Sequence, residues 1–230
     1  ALRLATGSAL LPLLAFGQAA QAVEVPALPL IAPPPRPMVY RRTLERPLSG
    51  GAMFRVTRDF AVRFEEAGAG FVVTGTQLSA EVAAPANLTE LAALERQRVE
   101  AGIFPLLLNA SGQIIDGQEP AQDDDVARML ADIRQRFAED GAEAGALIEA
   151  IHQAGTRLTA QLPHDLFAPH QGPREAREVI TLPWGDQGEV VTMFDAACDP
   201  RTHLMRSARR EVVTRLGGDE RRSAEFWELF

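Results

Sequence analysis

Lysine does not occur in the 230 residues; all 23 basic side chains are arginine. That absence excludes a lysine Schiff base, a P-loop lysine and a lysine general base. Cysteine occurs once, as Cys198, so no internal disulfide can form and stability must come from core burial. Positive charge is outnumbered as well. The 23 arginines face 31 acidic residues for a formal net charge of -8, which argues against the phosphate-neutralising surface that nucleic-acid binding needs. Aromatics make up 6%, with Tyr40 the single tyrosine. No apolar run reaches the ~20 residues of a membrane-spanning helix, and G-x-S-x-G, S-x-x-K, G-x-G-x-x-G and Walker patterns are all missing.

What is present begins with an address. Residues 1–22 combine Arg3, an apolar run from Leu4 to Phe16 and the small-residue ending Ala20-Gln21-Ala22, which predicts a secretory signal peptide cleaved near Ala22. The expected location is the periplasm or the exterior. Loss of Arg3 takes the formal charge from -8 to -9. Residues 23–37 carry Pro26, Pro29, Pro33, Pro34, Pro35 and Pro37, which predicts a disordered, extended arm, either a spacer or a docking peptide. A single domain is expected over 38–230.

In that domain the hydrophobic period is two at first. From Met53 to Glu65, Phe54, Val56, Arg58, Phe60, Val62 and Phe64 alternate with Arg55, Thr57, Asp59, Ala61 and Arg63. The alternation resumes after Gly68-Ala69-Gly70 and runs to Val82, a long hairpin, with a preceding strand over Met38 to Arg46. A helix is predicted from Leu88 to Ala101, capped by Asn87 or Thr89 and stopped by Gly102. Phe104 to Ile115 reads as a second tight hairpin around Asn109-Ala110-Ser111-Gly112. The period then changes to the helical one: Val126, Met129, Leu130, Ile133 and Phe137, then Leu147, Ile148, Ile151, Leu158 and Leu162, predict a helical hairpin. Strand signals return over Val179–Trp184, Glu189–Ala197, Arg209–Leu216 and Arg221–Leu229. The fold class is therefore α+β: a curved, half-barrel-like antiparallel sheet from both ends of the chain, packed against a central helical hairpin.

Candidate chemistry is sparse. His164, Asp165 and His170 share one proline-flanked loop and, with His203, are the candidate metal ligands, although no zinc spacing is present and solvation of the loop is the competing account. Asp123-Asp124-Asp125 lacks the order of a calcium loop and reads as a helix start. Cys198 with His203 and Asp195 or Asp199 is the candidate thiol site. No catalytic residue and no cofactor is expected from these patterns. Arg58 is the more informative residue, because a charge in an otherwise apolar row is costly unless it is paired or faces a cavity. It either serves as a polar handle in a ligand pocket formed with Phe54, Phe60, Trp184 and Trp227, or lies near a sheet edge, or is the partner of a core carboxylate such as Asp132 or Glu149.

The signal peptide, the antiparallel meander with Arg58 on its concave face, the central helical pair and the returning strands resemble the periplasmic lipoprotein-carrier half-barrel proteins (LolA/LppX-like). The ends of the chain, with Val212–Gly218 and Glu225–Leu229, also look like those of uncharacterised exported bacterial proteins. The carrier resemblance is one of architecture, and it implies an acyl-chain cargo. The expected function is thus a non-enzymatic envelope protein that binds an apolar or lipid-like ligand between sheet and helices. The alternatives are a structural or protein-interaction module without a cavity, and a hydrolase or thiol enzyme using Cys198 or the His164/His170 loop.

Overall fold

The computed structural model describes residues 28–48, 51–100, 102–115, 162–170, 172–181, 187–216 and 218–230. The predicted signal peptide, Asp123–Asp125 and the helical hairpin, apart from its last residue Leu162, lie outside them, as do Asp132, Glu149 and Trp184.

Eight strands form one curled sheet: β1 (Met38–Pro47), β2 (Met53–Ala67), β3 (Gly70–Ala83), β4 (Leu106–Asn109), β5 (Arg174–Thr181), β6 (Gln187–Cys198), β7 (Met205–Leu216) and β8 (Asp219–Leu229). Their order is β4-β3-β2-β1-β8-β7-β6-β5, with every neighbouring pair antiparallel. Each half of the chain is a four-strand meander. The two halves join where β1 meets β8, and Val39 and Phe230 exchange backbone hydrogen bonds of 2.7 and 3.0 Å at the seam. The sheet is built from both ends of the chain, as the alternation predicts. Register shifts at Asp59/Phe60 and at Ala197/Cys198 place one bulge in each half, and bulges of this kind increase local twist.

The period-two pattern sorts the residues. On β2, Val56, Arg58, Phe60 and Val62 are buried while their odd-numbered neighbours are not. The buried side packs around Tyr40, whose ring centroid lies 6.0 Å from those of Phe60 and Phe167 and 5.7 Å from that of Phe104. Phe104 fits because residue 75 is glycine: a Cβ there would fall 2.3 Å from the ring. The loop Leu162–His170 supplies fully buried Leu166 and Phe167, so its middle is core and only its two histidines are exposed.

Several boundaries differ from expectation: β5 begins at Arg174 rather than Val179, and β7 at Met205 rather than Arg209. Ile31 is buried in the core, and the Ile31 and Ala32 amides donate to the carbonyls of Ala110 and Thr202, so the folded unit takes in part of the arm assigned to 23–37. One α-helix occurs among the described residues, α1 (Thr89–Gln97), four residues shorter at its end than predicted. Its cap position is Leu88 with no side-chain bond, and Thr89 Oγ1 donates back to the Ala86 carbonyl. The helix ends early because Arg98 turns extended and the Glu95 and Glu100 side chains are drawn to arginines of the sheet. The tight hairpin at Asn109 forms as expected, with Asn109 Oδ1 accepting from the Ser111 and Gln113 amides.

Candidate functional site

The two faces of the sheet offer different chemistry. On the packed face Arg58 is 5% exposed and faces Arg42 across the β1–β2 register. Arg58 Nη2 donates to Glu95 Oε2 at 2.7 Å, and Nη1 lies 3.4 Å from Glu100 Oε2. Glu100 Oε1 in turn receives Arg42 Nη1 at 2.7 Å. Arg42 Nε donates to Glu225 Oε1 at 2.5 Å, and the other Glu225 oxygen accepts from Arg210 Nη2 at 2.6 Å. Three guanidiniums therefore interleave with three carboxylates.

The protonation tendencies follow from that geometry. Burial disfavours the Arg42 cation, yet Glu225 and Glu100 outweigh it and leave its pKa raised. At Arg210 burial is the largest influence and, with the neighbouring Arg42 charge, lowers the pKa although Glu225 opposes it. Burial alone would raise the Glu95 carboxyl, but the Arg58 and Arg98 contacts hold it below the usual range. Of the residues expected beside Arg58, Phe60 and Trp227 share its face, and the Trp227 ring lies against Phe194 and under the Arg210 guanidinium, 6.3 and 5.1 Å between centres. Phe54 stands two places beyond Val56 on the same row, half-buried.

The opposite face carries a groove of about 890 Å³. Its floor is two adjacent cross-strand rows, each running from β3 to β6. One is Ser79, Asp59, Arg41, Glu228, Ser207 and Ala197; the next is Glu81, Thr57, Thr43, Phe226, Arg209 and Asp195. Arg41 makes a bidentate pair with Asp59 at 2.7 and 2.8 Å, which pulls the Asp59 carboxyl down. Thr43 and Thr57 share a hydrogen bond of 3.1 Å, and Arg209 stands 5.4 Å over the Phe226 ring while bridging to Glu211. Apolar surface comes from Phe226 and Ala197; Ala196, Ala208 and Trp227 border the groove but belong to the packed face, with Ala208 and Trp227 buried. Arg58, Phe54 and Phe60 do not line this groove.

The remaining candidates form no metal-binding group of three or more side chains among the described residues. Asp165 is buried with both oxygens on Arg174, at 2.7 and 3.1 Å, while His164 and His170 are exposed. Cys198 lies at a strand end and lines the groove. Its Sγ donates to the Pro169 carbonyl at 3.3 Å, and burial, reinforced by Asp165, pushes its pKa up, the opposite of what a nucleophilic thiolate needs. Asp199 closes a turn by accepting from the Arg201 and Thr202 amides. The groove residues went unassigned because odd positions such as Thr57 and Asp59 read as the solvated side of a strand. Their signal exists only once the register aligns six strands.

No family model matches the chain, and no curated protein matches it either.

Proposed function

We propose that the protein is a non-enzymatic, exported binding protein that holds an amphipathic small molecule against its curled sheet. The observation that carries this reading is the groove of about 890 Å³, within the size range of small-molecule sites and lined by both apolar and polar side chains. The side of the sheet around Arg58 is filled by the protein's own aromatic rings and ion pairs, so the ligand is assigned to the other side. The resemblance to lipoprotein carriers supports a ligand with an apolar part. Fold analogy alone would not establish it. The half-buried Cys198 thiol donates to a backbone carbonyl, and no histidine side chain is hydrogen-bonded to it among the described residues, which weighs against the enzyme alternative.

Native mass spectrometry of freshly purified protein, with an alkyl-chain probe added where nothing co-purifies, tests this reading. The expected result is a bound small molecule that is lost when Thr43→Trp or Ser207→Trp fills the groove. No adduct in the unmodified protein, or equal occupancy in the filled variants, would overturn it. A partner-binding module is the second reading. It is favoured by the exposure of Leu78, Leu91, Leu94 and Val99 on and around α1, an apolar area of the kind that marks interaction sites. No helix among the described residues is long and apolar enough to cross a membrane.

A further inference from the structure

The charges on the groove floor do not cancel. In the first row Arg41 stands between Asp59 and Glu228, directly opposite both in register, but its guanidinium is committed to Asp59 by two hydrogen bonds. In the second row Arg209 stands opposite Asp195, yet its ion pair goes to Glu211, two residues along its own strand. Glu81, at the other end of that row, faces Thr57, which brings no charge. Each row therefore holds two carboxylates and one arginine. Glu81, Asp195 and Glu228, on three different strands, have no ion pair among the described residues, although the Arg41 charge acts on Glu81 and Glu228 at longer range. The groove's other ion pair among the described residues, Arg55 with Glu45, is internally neutral. Between the unpaired carboxylates lie hydroxyls, which accept from a cation as well as donate, and at mid-floor the Phe226 ring, an apolar surface over which the Arg209 guanidinium already stands.

We propose that the groove's ligand is a small organic cation, an ammonium or guanidinium group on an apolar body, with its charge drawn to the unpaired carboxylates along the floor, Glu228 at mid-groove and Glu81 and Asp195 towards its two sides, and its body against Phe226 and Ala197. This rests on the groove reading above and adds the sign of the ligand to it. The arrangement suits an organic ion rather than a bare metal. The carboxylates sit on separate strands with hydroxyls and a ring between them, and no tight cluster of metal-ligating groups is found among the described residues. An anion fits poorly, because each guanidinium on the floor is already bound to a carboxylate. The packed face, by contrast, balances three arginines with three glutamates.

The test is isothermal titration of the full chain with decylammonium, decanol and decanoate, three probes with the same tail and different heads. Decylammonium is expected to bind about five- to tenfold more tightly than decanol, the scale of one or two partly screened charges at close range, with decanoate weakest. In the Glu81→Gln/Asp195→Asn/Glu228→Gln variant the ammonium preference should disappear while decanol affinity stays. Glu65→Gln, an exposed carboxylate outside the groove, should leave all three affinities unchanged. Equal affinity for the three probes, or tightest binding of decanoate, would overturn the cation assignment and leave the groove reading standing. Failure of every probe to bind would overturn both.

Discussion

Glu225 is the carboxylate on which the interior charge network depends, and its removal should cost far more than that of the carboxylates bound to Arg58. The Glu225 side chain is 8% exposed and bridges Arg42 and Arg210, themselves 15% and 8% exposed. Glu225→Gln keeps the shape and deletes the charge, so two guanidiniums lose their shared counter-ion in a region that water does not reach. Breaking a buried ion pair from one side costs about 3–5 kcal/mol, and at 2–4 °C per kcal/mol for a chain of this size the melting temperature should fall by roughly 6–20 °C. Glu95→Gln is the contrast. That side chain is 24% exposed, Arg58 still has Glu100 at 3.4 Å, and the loss should stay near or below about 1 kcal/mol after solvent screening. Urea titrations of both variants with an unchanged m-value would report the difference directly. Replacing the network with Glu225→Leu/Arg210→Met/Arg42→Met should recover much of the loss, since apolar groups of similar volume can substitute for buried ions. The reasoning fails if Glu225→Gln stays within 1 kcal/mol of the parent protein or if Glu95→Gln matches it.

Gly75→Ala should destabilise the domain by about 1–3 kcal/mol, because the new methyl falls 2.3 Å from the Phe104 ring and the buried aromatic cluster must shift to admit it; a urea midpoint that does not move would contradict this. Stability should also fall on the acid side. Asp59 and Glu95 both titrate below their ordinary carboxylate values in the folded protein, so their contribution is full above the unfolded values near pH 4 and is lost as the pH drops through the depressed ones. Melting temperatures measured from pH 7 down to pH 2 should therefore decline below about pH 4, and Asp59→Asn/Glu95→Gln should flatten that limb.

The strands were legible because each has one buried side, and a buried side imposes a period of two that a sequence displays directly. Phe54 to Phe64 is the clearest case, and the seam between β1 and β8 follows from finding strands at both ends of the chain. Arg58 was legible as an anomaly but its partners were not. Glu95 and Glu100 lie in the segment where the sequence predicts an uninterrupted helix to Ala101, and the pull of Arg58 and Arg42 on their carboxylates is a tertiary contact that no local pattern encodes. Propensity likewise gave no sign that Ile31, in a proline-rich stretch, would be covered by the body of the domain. The groove was least visible, since its twelve floor residues are spread over six strands and each taken singly is an ordinary solvent-side residue.

That dispersal has a consequence for how such a site can vary. Every floor residue sits at the position where its strand turns away from the packed core, so its side chain is not needed to fill the aromatic interior around Tyr40. Substitution along a row then changes the charge and shape of the groove while the opposite row keeps its packing, provided the residue is not one of a pair such as Arg41 and Asp59. Arg58, Arg42 and Glu225 are under the reverse constraint: each is tied to two partners outside its own strand, and none can change alone without leaving an unpaired charge in a low-dielectric interior. The arginine that stands out in the sequence is therefore bound into the fold's internal charge balance, and the residues free to define a ligand are the polar ones on the reverse side of the same strands.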